Sequence, residues 1–225
     1  MNTITKIRDD WDKNQKAKTR AVEGQPWGWQ WGGEAVFKQI HNLGIADYIQ
    51  GPVLDVGCGG GKWEKWMIEN YKVVITGVDV HEQALIESKE YEPRATYQLV
   101  DGEGLEAFGD NTFGTVFIFD VLLHLPCPLV VRYFQEAYRV ATKSLIISLP
   151  DMGTVFGGKK FLKAVERKVW NRLYEYGYMN YYTRGQVARM MNLAGWENVK
   201  LLGHIGARGN RDMVVVGEKL VCLET

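Results

Sequence analysis

Three aspartates close apolar runs in this chain, and a fourth lies inside the first run, against a glycine turn. Asp55 lies in Val53-Leu54-Asp55-Val56-Gly57-Cys58-Gly59-Gly60-Gly61, Asp79 follows Val73 to Val78, Asp101 precedes Gly102 and Glu103, and Asp120 follows Thr115 to Phe119. Glycines at 57, 59 and 61 let the backbone adopt positive φ and approach a ligand closely. The dinucleotide fingerprint G-x-G-x-x-G needs a third glycine where Lys62 stands, and a phosphate-cradling loop needs Ser or Thr after that lysine. A carboxylate two residues ahead of the turn repels a pyrophosphate. It suits an ammonium group, through Coulomb attraction and charge-assisted hydrogen bonds. Asp79 comes 24 residues after Asp55 and 18 after Gly61. An acid at that strand tip can accept from both hydroxyls of a ribose, or cap the following helix with Glu82 three residues on. Asp101 can accept from an adenine amino group beside backbone N–H groups, or merely make a turn.

The elements that must position these acids follow from the hydrophobic pattern. Apolar runs of strand length occur at Val53 to Val56, Val73 to Val78, Thr96 to Val100, Thr115 to Phe119, Ser144 to Leu149, Val199 to Leu202 and Met213 to Val216. Helical segments lie between them at Lys62 to Asn70, Glu82 to Lys89 and Leu129 to Val140; in the last, Val130, Phe134, Ala137 and Tyr138 share one face. Alternating strands and helices imply right-handed crossovers and a parallel sheet covered on both sides. A further helix, Thr183 to Ala194, has Thr183 as N-cap and Gly195 as its stop. The last two strands are joined by Gly203 to Asn210 without a helix, so they run antiparallel to each other. The expected fold is α/β, doubly wound, with a seven-stranded, mostly parallel sheet and one antiparallel edge strand. The 225 residues suit a single domain. Its parts are an N-terminal helical and aromatic lid segment (1–50), a cofactor-binding half (51–150), and an acceptor-side insertion with the C-terminal strands (151–225).

S-adenosylmethionine matches the acids: it carries an α-ammonium, a carboxylate, a sulfonium and a nucleoside, and no phosphate. VLDVGCGGG, ITGVDV, LVDGEGL and FGTVFIFDVLLHLP, followed by FQEAYRVATKSLIISLP and YYTRGQVARMMNLAGWENVKLL, resemble the successive motifs of the class I S-adenosylmethionine-dependent methyltransferases, in particular the small single-domain enzymes acting on small molecules, sugars, lipids and quinones. The similarity spans about residues 50 to 217. It implies that Asp55, Gly57, Cys58, Gly59 and Gly61 hold the methionine end, that Asp79 binds the ribose with Val80 against the adenine face, and that Asp101, Gly102 and Glu103 serve adenine. It also places Asp120 beside the methionine arm and the acceptor, with S-adenosylhomocysteine as the product. Many relatives have Phe-Asp where this chain has Phe113-Gly114. That Asp is usually structural, so the change is expected to cost local stability.

Methyl transfer requires a nucleophile held about 3–3.5 Å from the methyl carbon, and a hydroxyl acceptor must also lose its proton. His124, four residues beyond Asp120, is the candidate base, set against a packing role among leucines; His41, His81 and His204 are weaker candidates. Two aromatic segments are expected to bind the acceptor: Trp27, Trp29 and Trp31 near the N-terminus, and Tyr178, Tyr181 and Tyr182 after a basic stretch, with packing as the competing role for both. No pair of His has metal-ligand spacing on a helix, so no catalytic metal is expected. The expected activity is O-methylation of a small molecule or sugar unit; the alternatives are N-methylation of a small amine and a non-catalytic partner that keeps the cofactor.

Lys plus Arg and Asp plus Glu number 27 each, which gives no overall field for nucleic acid, and DVLLHLP lacks the Asn/Asp-Pro-Pro-aromatic tetrad of DNA-adenine enzymes. The basic group from Lys159 to Arg172 reads as a solvated helix face. Three scattered cysteines, a charged N-terminus and the lack of an 18-residue apolar run point to a cytoplasmic protein with no membrane span. It is expected to act as a monomer or homodimer.

Overall fold

The computed structural model describes residues 33–167, 180–206 and 212–220, together with Thr5 and Asp9. Its centre is a seven-stranded sheet: β1 Val53–Val56, β2 Ile75–Asp79, β3 Thr96–Leu99, β4 Phe113–Ile118, β5 Ala141–Pro150, β6 Glu197–Ile205 and β7 Asp212–Glu218. The spatial order is β3-β2-β1-β4-β5-β7-β6. Pairings from β3 through β5 are parallel, and β7 is antiparallel to both of its neighbours. All residues of β1 and β4 are buried, as the continuous apolar runs require of strands covered on both faces.

The reversed strand lies one place in from the rim, with β6 outside it. Burial explains the arrangement. Six of the seven residues of β7 are buried, whereas β6 has three exposed positions and only Ile205 fully buried. The more apolar strand takes the interior slot, and the lysine-bearing strand faces water.

Helices α1 (Gly33–Asn42), α2 (Lys62–Tyr71), α3 (Glu82–Tyr91), α4 (Cys127–Val140), α5 (Val155–Glu166) and α6 (Arg184–Leu193) cover the sheet. One layer is built from Val130, Phe134 and Ala137 of α4, Val187 and Met191 of α6, and Trp196. The opposite layer holds Val36, Phe37 and Ile40 of α1 with Trp63, Trp66 and Met67 of α2. Thr183 caps α6 in a reciprocal box with Gln186, and Gly195 takes φ 103° directly after it. Lys159, Lys160, Lys163 and Arg167 of the α5 region are exposed.

The Phe113-Gly114 departure has a steric cause. A Cβ at Gly114 would run into the Gln50 carbonyl, because the chain entering β1 is tied onto β4 here: Gly114 N–H donates to Pro52 O at 2.8 Å and Gln50 N–H to Thr115 Oγ1 at 2.9 Å. Glycine is what this crossing accommodates, so any stability lost with the missing Asp stands against the clash that a side chain would bring here.

Candidate functional site

The carboxyl ends of β1 to β5 lie along one edge of the sheet, and β6, running parallel to β5 across the reversed β7, ends there too. Ligands of open α/β sheets bind at such an edge, where strand order reverses. Between β1 and α2, Gly57, Gly59 and Gly61 adopt φ of 77°, 54° and 82°. The turn is pinned to β2, since Gly57 N–H and Cys58 N–H both donate to Val78 O at 2.7 and 3.0 Å. A side chain at Gly57 would overlap Val121, which brings the β4 exit against the turn. Gly61 is the N-cap of α2 and supplies no side-chain cap, so the positive end of the helix faces the turn.

Asp55 is buried, and its Oδ2 has no hydrogen-bond partner. Burial pushes its carboxyl up to about 7, against the lowering influence of a shared hydrogen bond with Glu64 and of the Lys62 charge. Glu64, in the first turn of α2, is equally sealed; burial and the Asp55 charge hold its carboxyl well above the usual range. Neither Glu64 oxygen makes a hydrogen bond of good geometry, so the contact with Asp55 is a close carboxyl pair rather than a well-aligned bond. Glu64 sits against Gly77 of β2, where a Cβ would overlap its Oε1. Sequence reasoning missed this acid; its only signal was a charge at helical spacing with Trp63 and Met67, two buried positions of the same helix. The Cys58 thiol is buried too, and burial raises its pKa well above the ordinary value.

Asp79 ends β2 with Oδ2 accepting from Gly59 N–H at 2.9 Å and Oδ1 from His81 N–H at 3.0 Å. Burial raises its carboxyl, offset in part by these bonds. The helix cap proposed for Asp79 is made by His81 instead, whose Nδ1 accepts from Ala84 N–H at 3.1 Å. Asp79 is therefore joined to the glycine turn and not committed to α3. Val80 follows, partly buried. Asp101 is exposed and closes a turn in which its Oδ1 accepts from Glu103 N–H at 2.9 Å, with Gly102 at φ 81°. Asp120 sits at the β4 exit with φ 60°, an uncommon value outside glycine, and its N–H donates to Ser148 Oγ of β5 at 3.0 Å.

The acceptor-side residues separate. His124 ends a 3-10 turn, Leu122–His124, with its N–H on Val121 O at 2.9 Å and its Nδ1 buried. Tyr181 is partly exposed, edge-on to Phe161 of α5 at 6.0 Å. Tyr182 packs in the core beneath, where burial raises its hydroxyl's pKa; the competing packing role holds for it. Trp27, Trp29, Trp31 and Tyr178 lie outside the described residues. Asn180 and Tyr182 stitch the two strand exits together: Asn180 N–H donates to Leu123 O at 3.0 Å and Tyr182 N–H to Pro150 O at 3.2 Å. Next to them, Asp151 accepts from His204 Nε2 at 2.8 Å and Arg184 Nε at 3.1 Å. Among the described residues no group of His, Cys, Asp and Glu has the arrangement of a metal site.

The unpartnered Asp55 oxygen, the positive-φ glycines and the uncapped start of α2 fit the methionine end of S-adenosylmethionine, and Asp79 beside them fits its ribose. A family profile described as a methyltransferase domain matches residues 53–144. The chain is 26% identical over 199 residues to a ubiquinone biosynthesis O-methyltransferase of Thiobacillus denitrificans, covering 77% of this chain and 80% of the relative. It is 27% identical over 126 residues to the N-demethylindolmycin N-methyltransferase of Streptomyces griseus, covering 53% and 52%. Among solved structures, the magnesium protoporphyrin IX methyltransferase of Synechocystis PCC 6803 with bound SAH superposes with a TM-score of 0.60 at 16% identity, over 94% of each chain. At that identity the likeness concerns the fold.

Proposed function

We propose that this chain, whose residues 53–144 match a methyltransferase-domain profile, is a class I S-adenosylmethionine-dependent methyltransferase that O-methylates a small hydroxyl compound, a phenol or a sugar unit. The observation that carries the reading is the join between Asp79 and the glycine turn, a carboxylate bound to Gly59 N–H with no role in capping α3. In this reading Asp55 takes the methionine ammonium, the start of α2 its carboxylate, Asp79 the ribose hydroxyls, and Asp101 with Gly102 and Glu103 the adenine, with Val80 along the ring. The bound cofactor supplies an electrophilic methyl group on a sulfonium. This chain's own work is to hold that group, to exclude water, and to set an acceptor oxygen beside it; such placement contributes roughly 7–11 kcal/mol. Proton removal falls to an imidazole at the β4 to β6 end of the edge, where His124 and His204 stand.

The test is calorimetric titration with S-adenosylmethionine and S-adenosylhomocysteine, followed by an assay of S-adenosylhomocysteine release with catechol, 4-hydroxybenzoate and methyl glucoside. Asp79→Ala should weaken cofactor binding roughly 10- to 100-fold, the loss expected for hydrogen bonds to a charged group. Folded wild type that binds neither nucleoside would refute the cofactor assignment. Transfer to 2-phenylethylamine alone would replace the hydroxyl acceptor by an amine.

A further inference from the structure

A buried carboxylate that fixes one nitrogen of a histidine leaves the other nitrogen defined. Asp151, the residue after β5, has its side chain sealed from solvent. Burial by itself would raise its carboxyl. Hydrogen bonds from His204, the Gly153 N–H at 2.7 Å and Arg184 outweigh that and hold it below the ordinary range, so it is ionised. An ionised carboxylate only accepts, and the proton in the 2.8 Å contact must therefore sit on His204 Nε2. In the neutral ring Nδ1 then carries the lone pair, and no hydrogen bond among the described residues uses it. The His204 side chain is 15% exposed.

The pair also stands on the acceptor side of the edge. The methionine and nucleoside positions occupy the ends of β1, β2 and β3, which leaves β4, β5 and the strands beyond for the acceptor. Asp120 N–H is bonded to Ser148 Oγ, which joins the exit of β4 to β5 three residues before Asp151. Asp151 directly follows the strand next to β4, about 4.8 Å across. His204 is on β6, two strands beyond β5, with its ring drawn to that carboxylate at 2.8 Å, so the dyad reaches the β4 and β5 exits through Asp151. Among the described residues, the titratable or charged groups beside it are Arg184 at the start of α6, Tyr182, which bridges to Asp151, and the buried Asp212 of β7, paired with Pro150 and Ile205.

We propose that His204, oriented by Asp151, is the general base of the methyl transfer. The inference rests on the hydroxyl-acceptor reading above. His204 Nδ1 takes the acceptor's hydroxyl proton as the oxygen's electron pair forms the new O–CH3 bond; the S–CH3 bond breaks, its pair stays on sulfur, and a neutral thioether leaves. The imidazolium later returns the proton to water. Asp151 is a positioning residue that sets the tautomer and stabilises the cation, and Arg184 helps to keep that carboxylate ionised.

The experiment compares wild type, His204→Gln, His204→Ala and Asp151→Asn, with cofactor titration as the control for folding and turnover measured on the hydroxyl probe that wild type uses best. Both His204 variants should lose roughly 100-fold or more in kcat, lose the acid limb of the pH–rate profile, and bind S-adenosylhomocysteine as wild type does. Asp151→Asn should retain that limb in displaced form with a smaller loss of rate. Equal turnover and an unchanged profile in both His204 variants would overturn the proposal and leave the hydroxyl reading standing. Wild type that binds cofactor yet methylates none of the hydroxyl probes would overturn both.

Discussion

Asp55 and Glu64 are sealed together behind the glycine turn, and two buried carboxyls in contact resist ionising at the same time. Burial pushes the Asp55 carboxyl up to about 7, against 3.8 ordinarily. The native state thus keeps a proton that the unfolded chain gives up, and the resulting stability is complete below the ordinary value and lost as pH rises through about 7. Melting temperature of the cofactor-free protein should accordingly fall between about pH 5 and about pH 8, and Glu64→Gln should flatten that slope. A Glu64→Gln protein with the wild-type slope in differential scanning fluorimetry would show that the pair does not share a proton. At Gly114 the expectation is steric: Gly114→Ala forces a methyl group onto the Gln50 carbonyl and should destabilise by about 1–3 kcal/mol, the range for overpacking. Gly114→Asp, which restores the residue common among relatives, should do no better. Urea unfolding of the two variants measures both.

At the scale of elements, local chemistry was readable wherever it was local. The α6 cap and its stop were visible as Thr183, Gln186 and Gly195, and Thr183→Ala should cost about 1 kcal/mol, a fall of about 2–4 °C in Tm for a chain of this size. Strand β1 occupies the residues its apolar run predicts, whereas β2 starts two residues later than its run because Val73 and Val74 precede the ladder. Features that depend on which elements meet were hidden. His81 displaces Asp79 as the cap of α3 because the β2 exit turns Asp79 back onto the Gly59 amide. Glu64 went unremarked, since nothing in its own segment reveals that α2 lays it over Gly77. Asp151 and His204 are 53 residues apart, and their meeting depends on β7 entering between β5 and β6. The aromatic segment at Trp27 to Trp31 drew attention by composition alone, which carries no information on where its rings lie.

For the whole molecule the strongest consequence is linkage between ligand and fold. A cofactor that binds only the native chain stabilises it by about 2.7 kcal/mol at a concentration 100 times its Kd, roughly 5–10 °C in Tm for a domain of this size. Its ammonium would reach a pocket whose acids are held protonated by burial, and a positive charge there lowers the cost of ionising Asp55. Binding should therefore expel a proton near neutral pH. The thermal shift given by saturating S-adenosylhomocysteine should grow from about pH 5.5 to about pH 8, because the charge it compensates is present only at the upper end. 5′-Methylthioadenosine keeps the nucleoside and lacks the amino-acid end, so its shift should be smaller and nearly flat across the same range. Calorimetry in phosphate and Tris buffers, which differ in ionisation enthalpy, counts the released proton directly. Equal heats in the two buffers, together with parallel thermal shifts for the two nucleosides, would place the ammonium away from Asp55 and remove that residue from the cofactor site.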